Sequence, residues 1–205
     1  MGRPTITVVT PTHPARIYNG MLLRAQQSVW AQTLLPDAHA IAIDNTKAGA
    51  AATRQQALMM AETDFVAFLD SDDFFFTEHL DALIKHQQET GADFVYSWYK
   101  LAQSTAWGEY LREDDPIFPK THYTQPFDPE NPIETTITTL VRTELAKEVG
   151  FKPLDRGEIN SGEDRYFTLG CLERGAKISH LVQKTWGWCH HGGNTSGLPT
   201  KGDAA

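Results

Sequence analysis

Apolar residues in the first hundred positions fall into short runs separated by stretches of helical period, and that alternation predicts strands joined by helices. Ile6 to Thr10 is a β-branched run stopped by Pro11 and Pro14, which reads as a buried strand and its exit loop. From Asn19 to Gln32, Leu22, Ala25, Val29 and Trp30 recur at helical spacing. A second strand is expected over Ala38 to Asp44, ending at the turn-forming Asn45, and a helix over the alanine-rich stretch from Ala48 to Glu62. Phe65 to Leu69 is a third apolar strand, Thr77 to Glu89 a third helix closed by Gly91, and Phe94 to Tyr96 opens a fourth strand.

Strands separated by helices of this length imply a single α/β domain with a mostly parallel central sheet flanked by helices, joined by right-handed crossovers. In such sheets ligands bind beyond the carboxyl ends of the strands. Polar residues stand at those ends here: Thr10 and Thr12, Asp44, and Asp70 to Asp73. The second half is less regular. Lys100 to Asn131 carries five prolines and glycines with no clear period, and is expected to be an irregular lobe or flap over the site. Thr135 to Arg142 alternates like a strand, Thr143 to Val149 reads as a short helix stopped by Gly150, and Asn160 or Ser161 is expected to cap a helix from about Gly162 to Arg174. A strand near Lys177 to Val182 and a glycine-rich tail from His190 complete the chain, which contains no internal repeat.

The length of 205 residues fits one domain, able to bury about 70% of the surface exposed when unfolded. A net charge of -8 argues against non-specific binding to nucleic acid or anionic membrane. It leaves room for a small anionic ligand, since a bound divalent cation inverts the local field. No apolar run approaches the roughly 18 residues of a membrane span, and the N-terminus lacks an apolar signal region. Cys171 and Cys189 are too few for a disulfide framework, so a reduced, cytoplasmic setting is the expectation.

The strongest chemical signal is Asp70-Ser71-Asp72-Asp73, three carboxylates at the mouth of a buried strand. A hard divalent ion with oxygen ligands would relieve their repulsion, and Mg²⁺ typically binds through one or two carboxylates plus substrate phosphates. The same residues would also suit the start of the following helix. Further along, Glu163-Asp164 opens a helix, where acidic residues complement the macrodipole or supply a general base. Trp186 and Trp188 lie downstream, as core residues or as a wall against a sugar.

Taken in order, these segments resemble the family-2 glycosyltransferases of the Rossmann-like GT-A fold. Phe68 to Asp73 resembles their DxD motif, Ile6 to Thr12 their opening strand, and Gln27 to Thr33 the end of their first helix. Asp44 stands where the family places a nucleotide-binding Asp, Gly49 with Arg54 resembles its next helix, and Gly162-Glu163-Asp164 its catalytic acidic pair. The resemblance covers most of residues 5 to 196 and implies a nucleotide-sugar-binding half over 1–99, an acceptor and catalytic half over 100–196, and a tail over 197–205. By that resemblance Thr10, Pro11, Thr12 and Asp44 would hold the nucleobase and ribose with Arg54 nearby, and Asp70 with Ser71 would meet the donor or the water shell of the metal. Asp72 would be the main ligand of Mn²⁺ or Mg²⁺, Asp73 a second, and His191, in a segment similar to the family's C-terminal one, a third. One departure stands out: Asn45-Thr46-Lys47 follows Asp44, where the family often has a second Asp and a Gly-Ser pair.

The function implied is metal-dependent, inverting transfer of a sugar from a nucleotide diphosphate donor, UDP-sugar favoured, with Asp164 as base and Glu163 as its orienter or substitute. The acceptor is open among glycan, lipid carrier, protein and modified base. Rivals are a nucleotide-sugar-binding module without turnover, a Mg²⁺-dependent phosphohydrolase and a nucleotidyltransferase. The phosphohydrolase motif follows the first strand rather than the third, and the nucleotidyltransferase wants a glycine-rich basic loop after the first strand.

Overall fold

The computed structural model describes residues 2–105, 108–112, 124–130, 132, 137–152 and 162–191. Among them one eight-stranded sheet runs in the order β2-β1-β3-β7-β5-β8-β4, with β6 paired to β5. The strands are β1 Ile6–Thr12, β2 Ala38–Ile43, β3 Phe65–Phe68, β4 Phe74–Phe75, β5 Phe94–Thr105, β6 Gly108–Arg112, β7 Thr139–Arg142 and β8 Ile178–His190. The helices are α1 Pro14–Tyr18, α2 Met21–Trp30, α3 Ala50–Leu58, α4 His79–Thr90, α5 Thr143–Val149 and α6 Glu163–Glu173.

β1 pairs in parallel with β2 and β3, and β5 with β8, while β7 and β4 run against their neighbours. Along the main path every strand except β7 and β4 therefore shares one direction, which is the mostly parallel α/β sheet expected. Every residue of β1 and β3 is buried, as the β-branched run of β1 and the apolar run of β3 suit strands covered on both faces. The chain goes from β1 outward to β2 and returns across β1 to β3. Right-handed crossovers then put α2 and α3 on opposite faces and open a crevice where β1 and β3 end. Val9 is level with Phe68, so Pro11 and Thr12, still paired with β2, run past the end of β3 beside Asp70 to Asp73.

Below that crevice lies an aromatic core. Phe151 stacks on Phe167 with ring centroids 4.4 Å apart, and both meet the edge or face of Phe68 at 5.3 and 5.6 Å. Such rings bring large buried area, and their geometry adds about 0.5–1.5 kcal/mol per pair.

The second half departs from expectation. Lys100 to Thr105 continues β5 and turns into β6, so the start of the supposed irregular lobe is a hairpin; residues 106–107, 113–123 and 131 lie outside the described ones. Backbone pairing to β5 overrides local polarity again in β8. It extends from the expected Val182 to His190, through the polar Gln183 and Lys184, with register shifts at Ser97, Trp98 and Tyr99. The two-residue β4 also escaped the sequence pattern and exists through its pairing of Phe74 and Phe75 with Gly187 and Trp186. The N-cap of α6 is Gly162, while Asn160 and Ser161 fall outside the described residues. His79 is fully buried, which the polar character of histidine conceals in the sequence. It stacks on Phe75 at 4.0 Å and bonds Thr185 Oγ1 through Nδ1 at 2.6 Å, and burial pushes its pKa down to about 3. Its spacing with Leu83, one turn on, was the available signal.

Gly187 is required by close approach, because a Cβ there would overlap the ring of Phe74. Gly187→Ala is expected to lower stability in urea denaturation by about 1–3 kcal/mol. In a Phe74→Ala background the same change should cost close to nothing, a coupling read directly from the double-mutant cycle.

Candidate active site

A cleft of about 600 Å³ opens at the crevice, lined by Pro11 to Pro14 and Arg16 from one strand end, Asp44 to Ala50 in part, Thr53 and Arg54 from α3, Asp70 to Asp73, and Trp188 from β8. Of the residues singled out in the sequence, Pro11, Thr12, Asp44, Arg54, Asp70, Ser71, Asp72 and Asp73 all meet here. Glu163, Asp164 and His191 are not among its lining residues but join it through Arg54 and Asp72, and Thr10 does not reach it: it is fully buried, and its hydroxyl is hydrogen-bonded to His39 Nε2 at 2.9 Å. Trp188 reaches the cleft, whereas Trp186 is core.

The wall after β2 is built by Asp44. Its Oδ1 accepts the N–H groups of Thr46 and Ala48, and its Oδ2 that of Gly49 at 2.8 Å. These bonds hold its carboxyl below the ordinary range. They also hold the chain through Lys47, at φ 60°, and Gly49, at φ 92° and ψ 171°, a region open essentially to glycine alone. Helix α3 thus starts at Ala50 rather than Ala48, the sequence-expected start.

Asp70, Asp72 and Asp73 offer one ligand atom each within 4.8 Å of one another. Asp73 is buried and accepts the amide N–H of Cys189 at 2.8 Å. Burial, then Asp72 and Asp70, push its carboxyl well above the usual range, against the amide and Arg24. Burial also raises Asp70, opposed by Arg54 and aided by Asp72. Asp72 is held low: burial would raise it, but His191 and Arg16 outweigh that. Its Oδ2 lies 2.9 Å from Arg16 Nη2 and 2.9 Å from His191 Nε2. Strand β8 delivers both Cys189 and His191, so its length, missed in the sequence, completes the site.

Arg54 is buried and bridges Asp70 Oδ1 at 2.6 Å and Glu163 Oε1 at 2.7 Å. Its guanidinium also lies over Phe151, 5.3 Å from the ring centroid. Burial alone would disfavour its charge, but Asp70 and Glu163 raise its pKa and keep it protonated. Arg54 therefore joins the donor end of the cleft to the first turn of α6. The two carboxylates of that turn diverge. Burial raises Glu163, but Arg54 outweighs it and holds the group low, whereas burial pushes Asp164 up to about 6. Asp164 Oδ1 accepts the N–H of Arg165 at 2.9 Å. Gly162 precedes the pair for room rather than backbone freedom: its φ of -64° suits any residue, but a Cβ there would stand 2.5 Å from Asp164 Oδ1.

Sequence reasoning missed two arginines. Arg16 caps the cleft from α1, and Arg24 of α2 donates to the carbonyl of Asp72 and to Cys189 Sγ. Nothing in their spacing marks them; the signal was the surplus of acids, which needs partners when buried. Even so, Asp70, Asp72, Asp73, Glu163 and Asp164 outnumber Arg16, Arg24 and Arg54 by two charges when all are ionised. The donor set of clustered carboxylate oxygens with one imidazole fits a single divalent cation.

The sequence profile of "Glycosyl transferase family 2" matches residues 8–150. No curated protein sequence matches the chain significantly. Among solved structures, S. aureus TarS 1-349 in complex with UDP-GlcNAc superposes with a TM-score of 0.72 at 19% identity, covering 95% of this chain and 62% of that one. The same TarS segment without a named ligand gives 0.67 at 19% identity, covering 90% and 60%, and its complex with UDP gives 0.66 at 19%, covering 91% and 60%. The chain thus spans about 60% of the length of that TarS segment, with which it shares the fold.

Because folding raises the Asp164 pKa from 3.8 to about 6, ionising it opposes folding. That penalty is absent below about pH 4 and complete above about pH 6. Asp164→Asn should raise stability at pH 7.5 by about 1–2 kcal/mol and change it little at pH 4, as measured by thermal unfolding at both pH values.

Proposed function

Because this chain belongs to glycosyl transferase family 2, we propose that it moves a sugar from a nucleoside diphosphate donor, UDP-sugar first among candidates, onto an acceptor hydroxyl with inversion at the anomeric carbon. The observation that carries this reading is the cluster of Asp70, Asp72 and Asp73 at the crevice of the sheet, joined through Arg54 to the helical turn in which burial raises the Asp164 carboxyl to about 6. Residues 1–99 are assigned the donor and 100–196 the acceptor and the chemistry. Two buried cysteines outside any disulfide suit the cytoplasmic setting that belongs to this proposal. No helix among the described residues is long and apolar enough to cross a membrane.

Asp72 and Asp73, with His191, are assigned the cation, and Asp70 a place on its water shell or on the ribose. Mn²⁺ or Mg²⁺ held there would offset charge on the departing diphosphate. Pro11, Thr12 and the Asp44 loop would take the nucleoside. Thr12 Oγ1 supports this assignment, being buried at the cleft without a hydrogen-bond partner. Asp164 takes the proton of the acceptor hydroxyl as its oxygen bonds to the anomeric carbon and the bond to the diphosphate oxygen breaks. Asp164 suits this task and Glu163 does not, because Arg54 keeps Glu163 too weak a base. Trp188, in the wall of the cleft, would help shield the donor from hydrolysis. The departing UDP carries the leaving charge away, and Asp164 returns its proton to solvent.

Calorimetry should find UDP binding much tighter with Mn²⁺ or Mg²⁺ than with chelator, and Asp72→Ala should erase the difference. Equal affinity with and without metal overturns the cation assignment. UDP release from the donor, with the acceptor or with water, should fall as pH drops through about 6, since the base must be ionised. Asp164→Asn should slow it by about 10²–10⁴-fold at pH 7.5 while leaving UDP affinity within a few-fold. Wild-type turnover in that variant places the base elsewhere.

A further inference from the structure

Arg16 stands where the proposed cation would. Its Nη2 lies 2.9 Å from Asp72 Oδ2, and its Nη1 2.5 Å from His191 Nε2, while those two acceptors are 2.9 Å from each other. Adjacent ligands of an ion bonded at about 2.1 Å sit roughly 3 Å apart. The spacing therefore suits a shared cation, and the guanidinium supplies the positive charge that the pair faces.

The rest of the site is not built to move in this way. Arg54 is tied from below by two ion pairs at 3% exposure, and Arg24 holds the Asp72 carbonyl and Cys189 beneath the ring of Phe74. Arg16 rides on α1, five residues long and with no buried residue, begun by Pro14 and flanked by the exposed Ile17 and Tyr18. Its remaining bonds, Nε to His13 Nε2 at 3.3 Å and Nη1 to Met21 Sδ at 2.8 Å, are to side chains that bear no negative charge. A divalent ion at Asp72 would repel this arginine, and a diphosphate in the cleft would attract it, because a guanidinium fork bonds phosphate oxygens two at a time.

We propose that Arg16 is a placeholder that occupies the cation's seat on Asp72 and His191 in the empty protein, and exchanges it for the donor's diphosphate when cation and donor enter together. This rests on the cation-dependent donor site proposed above. Its consequence is thermodynamic coupling: each ligand releases the arginine that the other needs moved or needs bound, so each raises the affinity of the other by the same factor.

The test is calorimetry on the full chain and on Arg16→Gln, with Mn²⁺ alone and with UDP at saturating Mn²⁺. Removing the placeholder should tighten Mn²⁺ alone about fivefold, the worth of one partly shielded ion pair. The same change should weaken UDP by about tenfold or more, the worth of a charge-assisted bond to phosphate. Arg16→Lys, which keeps the charge but not the fork, should fall between wild type and Arg16→Gln in both titrations. It also serves if the glutamine variant folds poorly. Opposite signs in the two titrations support the exchange. Unchanged or weaker Mn²⁺ binding with weaker UDP makes Arg16 a phosphate ligand only, tighter Mn²⁺ with unchanged UDP makes it a static ion pair, and either result overturns the exchange. Wild-type protein that binds both ligands, with variants that match it, overturns this inference alone. Wild-type protein that binds neither overturns the donor site as well.

Discussion

A single buried guanidinium holds this site together. Arg54 reaches Glu163 across 109 positions of sequence and Asp70 across 16, and both bonds are shorter than 2.8 Å. Two carboxylates and an arginine taken out of water lose hydration that their mutual attraction returns only when the geometry is good. Stripping one partner from such a set typically costs about 3–5 kcal/mol, because a charge is left alone. The stack of Phe151 on Phe167 carries the flat face of Arg54, so the aromatic core fixes the fork and the fork fixes both acids. The position of Asp164 follows, as the next residue of the same helical turn.

This arrangement also divides labour between the acids. Glu163 and Asp164 are sequence neighbours with the same functional group, and one is held low while the other is pushed up. The difference comes from which of them faces Arg54. At the other end of the cleft, Asp44 spends its carboxylate on three backbone amides and shapes a loop that carries Lys47 toward the ligand. The departure of Asn45-Thr46-Lys47 from the family pattern is thus accommodated by the backbone, and it adds a positive charge beside the first half of the cleft.

Much of this was legible in the sequence, and the parts that were share a cause. β1, β3 and the acidic run after β3 announce themselves because a strand buried on both faces is built of β-branched and apolar residues, and its charged residues wait for its end. The helix-opening pair of α6 was readable for the same local reason. What escaped depends on partners far along the chain. The length of β8 and the existence of β4 come from pairing with β5 and with each other, and Gln183 and Lys184 conceal it. Arg16 and Arg24 look like surface residues of an amphipathic stretch until the acids they neutralise are placed 48 or more positions away. Thr10 was read as facing the ligand because the strand was expected to end there; β1 runs on to Thr12, so Thr10 stays inside the sheet and its hydroxyl bonds His39.

The outermost strand carries a different consequence. β2 pairs with β1 on one side only, and among the described residues nothing pairs with its other edge. Its sequence, Ala38-His39-Ala40-Ile41-Ala42-Ile43, has no acid, lysine, arginine or proline. Proteins usually blunt such an edge with a charge or a kink. His39 provides neither near neutrality, since burial pushes its pKa down to about 4. Concentrated samples therefore have a ready template for strand-to-strand association between molecules, and the charges nearest to it in the chain, Asp37 and Asp44, lie beyond its ends.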